Sequence, residues 1–106
     1  MIVQNLFDGI PQDLPHEIVD TLAIGHRAKI ERIVSKGHSS SPGFWYDQDE
    51  DEWVVLLKGK ADLEFEGQAS ITTLGPGDHI LIPAHIKHRV RWTDPDQECI
   101  WIAVYF

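Results

Sequence analysis

An all-β domain, either a sandwich or a barrel, is the fold class the sequence predicts. Three observations predict it. Turn residues punctuate the chain at short intervals, the apolar spacing between them is mostly two, and 106 residues supply one hydrophobic core but not two. With 42% hydrophobic and 25% charged residues, the composition is that of a globular chain.

The first predicted strand is Glu17–Ile24, ended by Gly25-His26. Within Pro15–Ala23, however, Ile18, Val19 and Leu22 also fit one face of a helical turn, so its type stays open. Ala28–Ser35 follows, and Gly37 through Gly43 is a Ser, Pro and Gly loop. In Glu52–Leu57 both faces are apolar, the pattern of a strand covered on both sides. Ala61–Glu66 alternates cleanly, Ala61, Leu63 and Phe65 facing in and Asp62, Glu64 and Glu66 facing out. Gly67-Gln68 makes a tight hairpin to Ala69–Leu74, and Leu74-Gly75-Pro76-Gly77 has type II turn chemistry. After His79–Ile82, the strand His88–Thr93 puts His88, Val90 and Trp92 on one face and Arg89 and Arg91 on the other. Asp94-Pro95-Asp96 reverses the chain into Glu98–Phe106, again apolar on both faces. Two doubly apolar strands in so small a domain predict that a second copy covers one outer face, giving a homodimer. The alternative cover is the chain's own N-terminal segment.

Seventeen acids against nine Lys and Arg give a formal charge of −8, with no basic stripe. Nucleic acid and anionic membrane are therefore excluded as expected partners. The lone Cys99 cannot form an internal disulfide and fits a reducing compartment. Met1 through Gly9 lacks the features of a signal peptide, and no run approaches the roughly 20 apolar residues of a membrane span. The expectation is one soluble cytoplasmic domain over residues 1–106.

Chemistry concentrates in two segments, Glu52-Trp53-Val54-Val55-Leu56-Leu57-Lys58-Gly59 and Gly77-Asp78-His79-Ile80-Leu81-Ile82-Pro83-Ala84-His85-Ile86-Lys87-His88. Glu52 and His88 both fall on the inward parity, where a charge is costly unless paired or metal-bound. Three outcomes are open: mutual pairing, metal coordination, or exposure to a ligand cavity.

The two segments resemble the paired motifs of the cupin superfamily. The first such motif ends in Glu, six residues and Gly, as from Glu52 to Gly59; the second runs from Gly through Pro to a metal-binding His, as in Gly77, Pro83 and His88. The resemblance implies a jelly-roll β-barrel, with residues 28–106 as the conserved barrel, 1–27 as an N-terminal segment, and dimerisation. It also implies a metal site, of which only Glu52 and His88 carry over directly. The His-x-His pair that precedes the Glu in metal-binding members is replaced by Tyr46 and Gln48 in one register and by Trp45 and Asp47 in the other. The Gln48 amide oxygen, the Asp47 carboxylate or the Tyr46 phenolate would have to complete the shell around a divalent Fe, Mn, Ni or Zn ion.

Other candidates are weaker. His85 stands where the second motif has Gly and is expected at a rim or on the surface, as are His16, His26 and the loop residue His38; parity alone does not place His79. Arg32 shares parity with Ile30 and Val34 and would hold an anion only if that face is inward. The acidic run from Asp47 to Glu52 lacks the Gly and later Glu of a Ca²⁺ loop. Trp45, Tyr46, Trp53 and Trp92 read as cavity walls or simply as core. Neither Cys99 nor any Ser sits in a nucleophile motif. Two functions follow: an enzyme acting on a small molecule, either a metal-binding oxygenase or isomerase or a metal-free variant with His88 as acid or base and Glu52 setting its protonation, or a non-catalytic small-molecule-binding or sensor protein that has lost the metal site.

Overall fold

Eight strands and no helix make up the computed structural model, which describes residues 1–106. They are β1 (Ile18–Ile24), β2 (Lys29–Ser35), β3 (Glu52–Lys58), β4 (Ala61–Phe65), β5 (Thr72–Leu74), β6 (His79–Ile82), β7 (His88–Thr93) and β8 (Cys99–Tyr105). The ambiguous first segment is a strand, because antiparallel pairing of Ile18 through Ile24 with β2 satisfies its backbone.

The strands form two sheets, one ordered β1-β2-β8-β3-β6 and the other β5-β4-β7. Their ladders do not close into a ring, so the expected barrel is realised as two facing sheets. Side-chain packing joins them: Val54, Leu56, Trp101 and Ala103 of the larger sheet bury against Ala61, Leu63, Phe65 and Leu74 of the smaller. The inner face of β4 is the predicted one.

In β7 the predicted alternation breaks. Its register against β4 shifts between Asp62 and Leu63, with Trp92 opposite Asp62 but Val90 opposite Leu63. This bulge reverses the parity beyond Val90. Trp92 is consequently 38% exposed, while Thr93 is buried and its hydroxyl donates to the His38 carbonyl at 2.6 Å.

Arg32 lies on the outer face of β2. Its guanidinium donates to Asp20 at 2.6 and 3.2 Å and to the Leu6 and Asp8 carbonyls at 2.9 and 2.8 Å. The N-terminal segment is thereby tied against β1 and β2. Outward-facing Trp53, Val55 and Leu57 of β3 stay only half-buried. Gly59, in the turn that carries the chain from β3 in the larger sheet to β4 in the smaller, has φ +95°, and a Cβ there would lie 2.6 Å from the Cys99 Sγ.

Candidate functional site

Glu52 opens β3 and His88 opens β7, so each of the two sheets delivers one of them to the same end of the molecule. The loop between β2 and β3 is held down by reciprocal Asp51–Phe106 backbone bonds of 3.0 Å and by a Tyr46–His88 bridge of 2.7 and 3.1 Å. Two further bonds, His85 N–H to the Gln48 carbonyl and Ala84 N–H to the Asp51 carboxylate, both 2.8 Å, fasten it to the turn before β7.

These restraints set the geometry of a buried pair. Glu52 and His88 are 7% and 6% exposed, and the Glu52 Oε1 lies 3.3 Å from the His88 Nε2. The His88 Nδ1 is 2.9 Å from the Ile86 carbonyl, which only accepts, so this nitrogen carries a proton. The Nε2–Oε1 contact then needs a second proton, on the imidazole or on the carboxyl. Burial pulls the His88 pKa down, but the bond to Glu52 and the Ile86 carbonyl outweigh it and leave the pKa above its ordinary 6.5. The Gln48 Nε2 donates to the same Glu52 oxygen at 3.2 Å, while the Gln48 Oε1 is buried without a partner. Tyr46 stacks on the His88 ring at 5.5 Å.

The pair forms part of the wall of a cavity of about 270 Å³ between the sheets. Apolar side chains of Ile33, Val54, Leu63, Val90 and Trp101 line much of it. Glu17, Glu31 and Tyr105 add polar groups at the side nearest β1 and β2. Burial raises the Tyr46 phenol pKa, and the Glu17, Glu52 and Glu31 carboxylates raise it further; burial, then Glu52 and Glu31, push Tyr105 up strongly. Both phenols are therefore held neutral.

The sequence candidates divide accordingly. Glu52, His88, Gln48 and Tyr46 converge on the cavity. The Asp47 carboxylate instead takes the His85 Nδ1 at 2.8 Å on the surface, and His85 holds a left-handed φ of 64°. His79 is exposed beside Trp53, and the His38 Nδ1 accepts from the Lys36 N–H at 2.9 Å. Of the four aromatics read as walls, only Tyr46 lines the cavity. Trp45 lies 6.0 Å from the Arg89 guanidinium and Trp53 faces outward, as Trp92 does through the bulge. Glu17, Glu31, Ser35, Trp101 and Tyr105 were not anticipated, although Glu31, Ile33 and Ser35 alternate in β2 and that parity was the available signal.

As a metal cage the donor set falls short. One imidazole and one carboxylate converge beside the Gln48 amide and the Tyr46 hydroxyl, Asp47 is turned away, and no group of three His, Cys, Asp or Glu forms. A resident transition metal ordinarily has at least three protein ligands; Glu52 and His88 supply two, and a third would have to come from the Gln48 amide oxygen or the Tyr46 hydroxyl.

The cupin domain model of the Cupin_2 type matches residues 31–105. A crystal structure of a candidate mannose-6-phosphate isomerase from Ralstonia eutropha JMP134 superposes with a TM-score of 0.95 at 44% identity, covering 99% of this chain and 97% of that one. A cupin superfamily protein from Desulfitobacterium hafniense DCB-2 matches with a TM-score of 0.75 at 21% identity, over 92% and 83% of the two chains. An RmlC-like cupin family protein with a double-stranded β-helix fold from Methanocaldococcus jannaschii gives 0.71 at 17%, over 92% and 85%. No curated protein matches. With the family model spanning most of the chain and the strands of the two motifs, β3 and β6, paired in one sheet, the chain belongs to the cupin superfamily.

Proposed function

We propose that this cupin binds a small molecule in the cavity beside Glu52 and His88 and exchanges a proton with it at the His88 Nε2, without a resident metal. The observation that carries the reading is the 3.3 Å Glu52–His88 contact in the wall of a mostly apolar cavity. A pair holding one mobile proton is suited to general acid–base work. The Nε2 hands its proton to a basic atom of the ligand, the imidazolium becoming imidazole, and a return transfer restores it. Such a cycle has no net proton demand, which is what an isomerisation requires. The name of the 44% identical relative supports an isomerase reading of the reaction class.

A divalent Fe, Mn, Ni or Zn ion at Glu52 and His88 is the second reading. Its support is the buried Gln48 Oε1 without a partner, a third donor in waiting. Metal content by mass spectrometry, on untagged protein purified without chelators, separates the two. Proton exchange into bound ligands in D₂O then tests the chemistry. We expect metal well below stoichiometry, and exchange that disappears in His88→Gln. Near-stoichiometric metal that is lost in His88→Ala overturns the metal-free reading.

A further inference from the structure

The cavity wall has a surplus of hydrogen-bond acceptors. Glu17, Glu31 and Glu52 contribute three carboxylates, and no Lys or Arg lines the cavity; His88 is the one side chain there able to carry positive charge. The side-chain donors are largely committed to these acids. His88 and Gln48 both point at Glu52, at 3.3 and 3.2 Å, and the Ser35 hydroxyl donates to Glu17 at 3.2 Å. The two remaining donors, Tyr46 and Tyr105, sit in the field of the same carboxylates. The buried Gln48 Oε1 adds an acceptor that nothing satisfies. A phosphate ester brings only acceptors and negative charge, and would find in this wall no cation but His88, which already faces Glu52, and no donors but the two tyrosine hydroxyls among three carboxylates.

We propose, resting on the reading that this cavity is the ligand site, that the ligand is a small organic cation. It would be an amine whose ammonium meets the Glu17–Glu31 side and whose apolar body packs on Ile33, Leu63, Val90 and Trp101. Phosphate esters are excluded. The chain itself displays the chemistry beside the cavity. The Lys29 ammonium, outside the lining, lies 3.4 Å from the Glu31 carboxylate and 5.1 Å from the centre of the Tyr105 ring, a carboxylate and an aromatic face together holding a cation.

The test uses the full chain and four probes: benzylamine, benzyl alcohol, benzyl phosphate and a hexose phosphate. Binding is followed by the NMR shifts of Leu63, Val90 and Trp101. Benzylamine is expected to bind about tenfold tighter than benzyl alcohol, the value of one charge-assisted contact, and neither phosphate is expected to shift these resonances. Glu31→Gln and Glu17→Gln each weaken benzylamine about tenfold and leave benzyl alcohol unchanged. Equal binding of amine and alcohol, or any phosphate in the cavity, overturns the cation assignment while leaving the cavity as a ligand site. If no probe perturbs the cavity, the ligand-site reading falls as well.

Discussion

Because the Ile86 carbonyl claims the Nδ1 proton of His88, it is the Nε2 that faces Glu52, at 3.3 Å. Burial opposes a charged imidazole and the partners favour it, with the partners winning. An NMR titration of the His88 ring is therefore expected to show a midpoint above 6.5, falling in Glu52→Gln. The folded pKa lies above the unfolded one. The stabilisation is accordingly complete below about pH 6.5 and is lost as pH rises through the folded midpoint. A wild-type midpoint below 6.5 would mean that burial dominates. Glu52 and His88 were legible in the sequence because charged groups on an inward parity are rare and the motifs fix their spacing. Asp47 was misleading for a tertiary reason: its carboxylate is claimed by His85, a surface partner 38 residues away. Glu31 went unread because β2 carries polar groups on both faces, and sequence alone does not say which is inward.

At the scale of elements, strand positions were legible and one parity was not. A β-bulge has no signature in Arg89-Val90-Arg91-Trp92-Thr93; it follows from the register that β4 imposes, which puts Thr93 opposite the buried Ala61. The Gly that closes the first motif has an equally tertiary cause. Gly59 combines a left-handed φ of +95° with backbone and Sγ atoms of Cys99 within 2.8 Å of where a Cβ would sit. Both the conformation and the contact penalise any side chain. Gly59→Ala is expected to lower stability by about 2–4 kcal/mol, from backbone strain of about 1–2 kcal/mol and a similar cost of overpacking. Urea denaturation measures it. Gly67→Ala serves as the control, since Gly67 has a similar φ of +83° but nothing within 4 Å of where its Cβ would sit. It should lose the strain alone. Equal losses at the two sites would show that Cys99 yields freely and that packing does not dictate the motif glycine.

For the whole molecule, the back of the larger sheet is the surface that still lacks a cover. The N-terminal segment is fastened elsewhere, through Arg32 over β1 and β2. Trp53, Val55 and Leu57 of β3, with Ile102 and Val104 of β8, remain partly exposed on neighbouring strands at the sheet's centre. A second copy packed there would bury this apolar surface, and we propose the homodimer on that ground. Two terms of opposite sign decide its strength. Apolar burial favours association, while two chains of charge −8 repel each other. Raising the salt screens the repulsion and leaves the hydrophobic gain intact. Sedimentation equilibrium should therefore give a mass of twice 12.1 kDa, with association strengthening as salt increases. Val55→Asp, on the outer face and away from the cavity lining, should leave a folded monomer. A wild-type monomer at every salt concentration would sink the proposal. A dimer that weakens with salt would point instead to an interface held by charge, and so to a different face of the molecule.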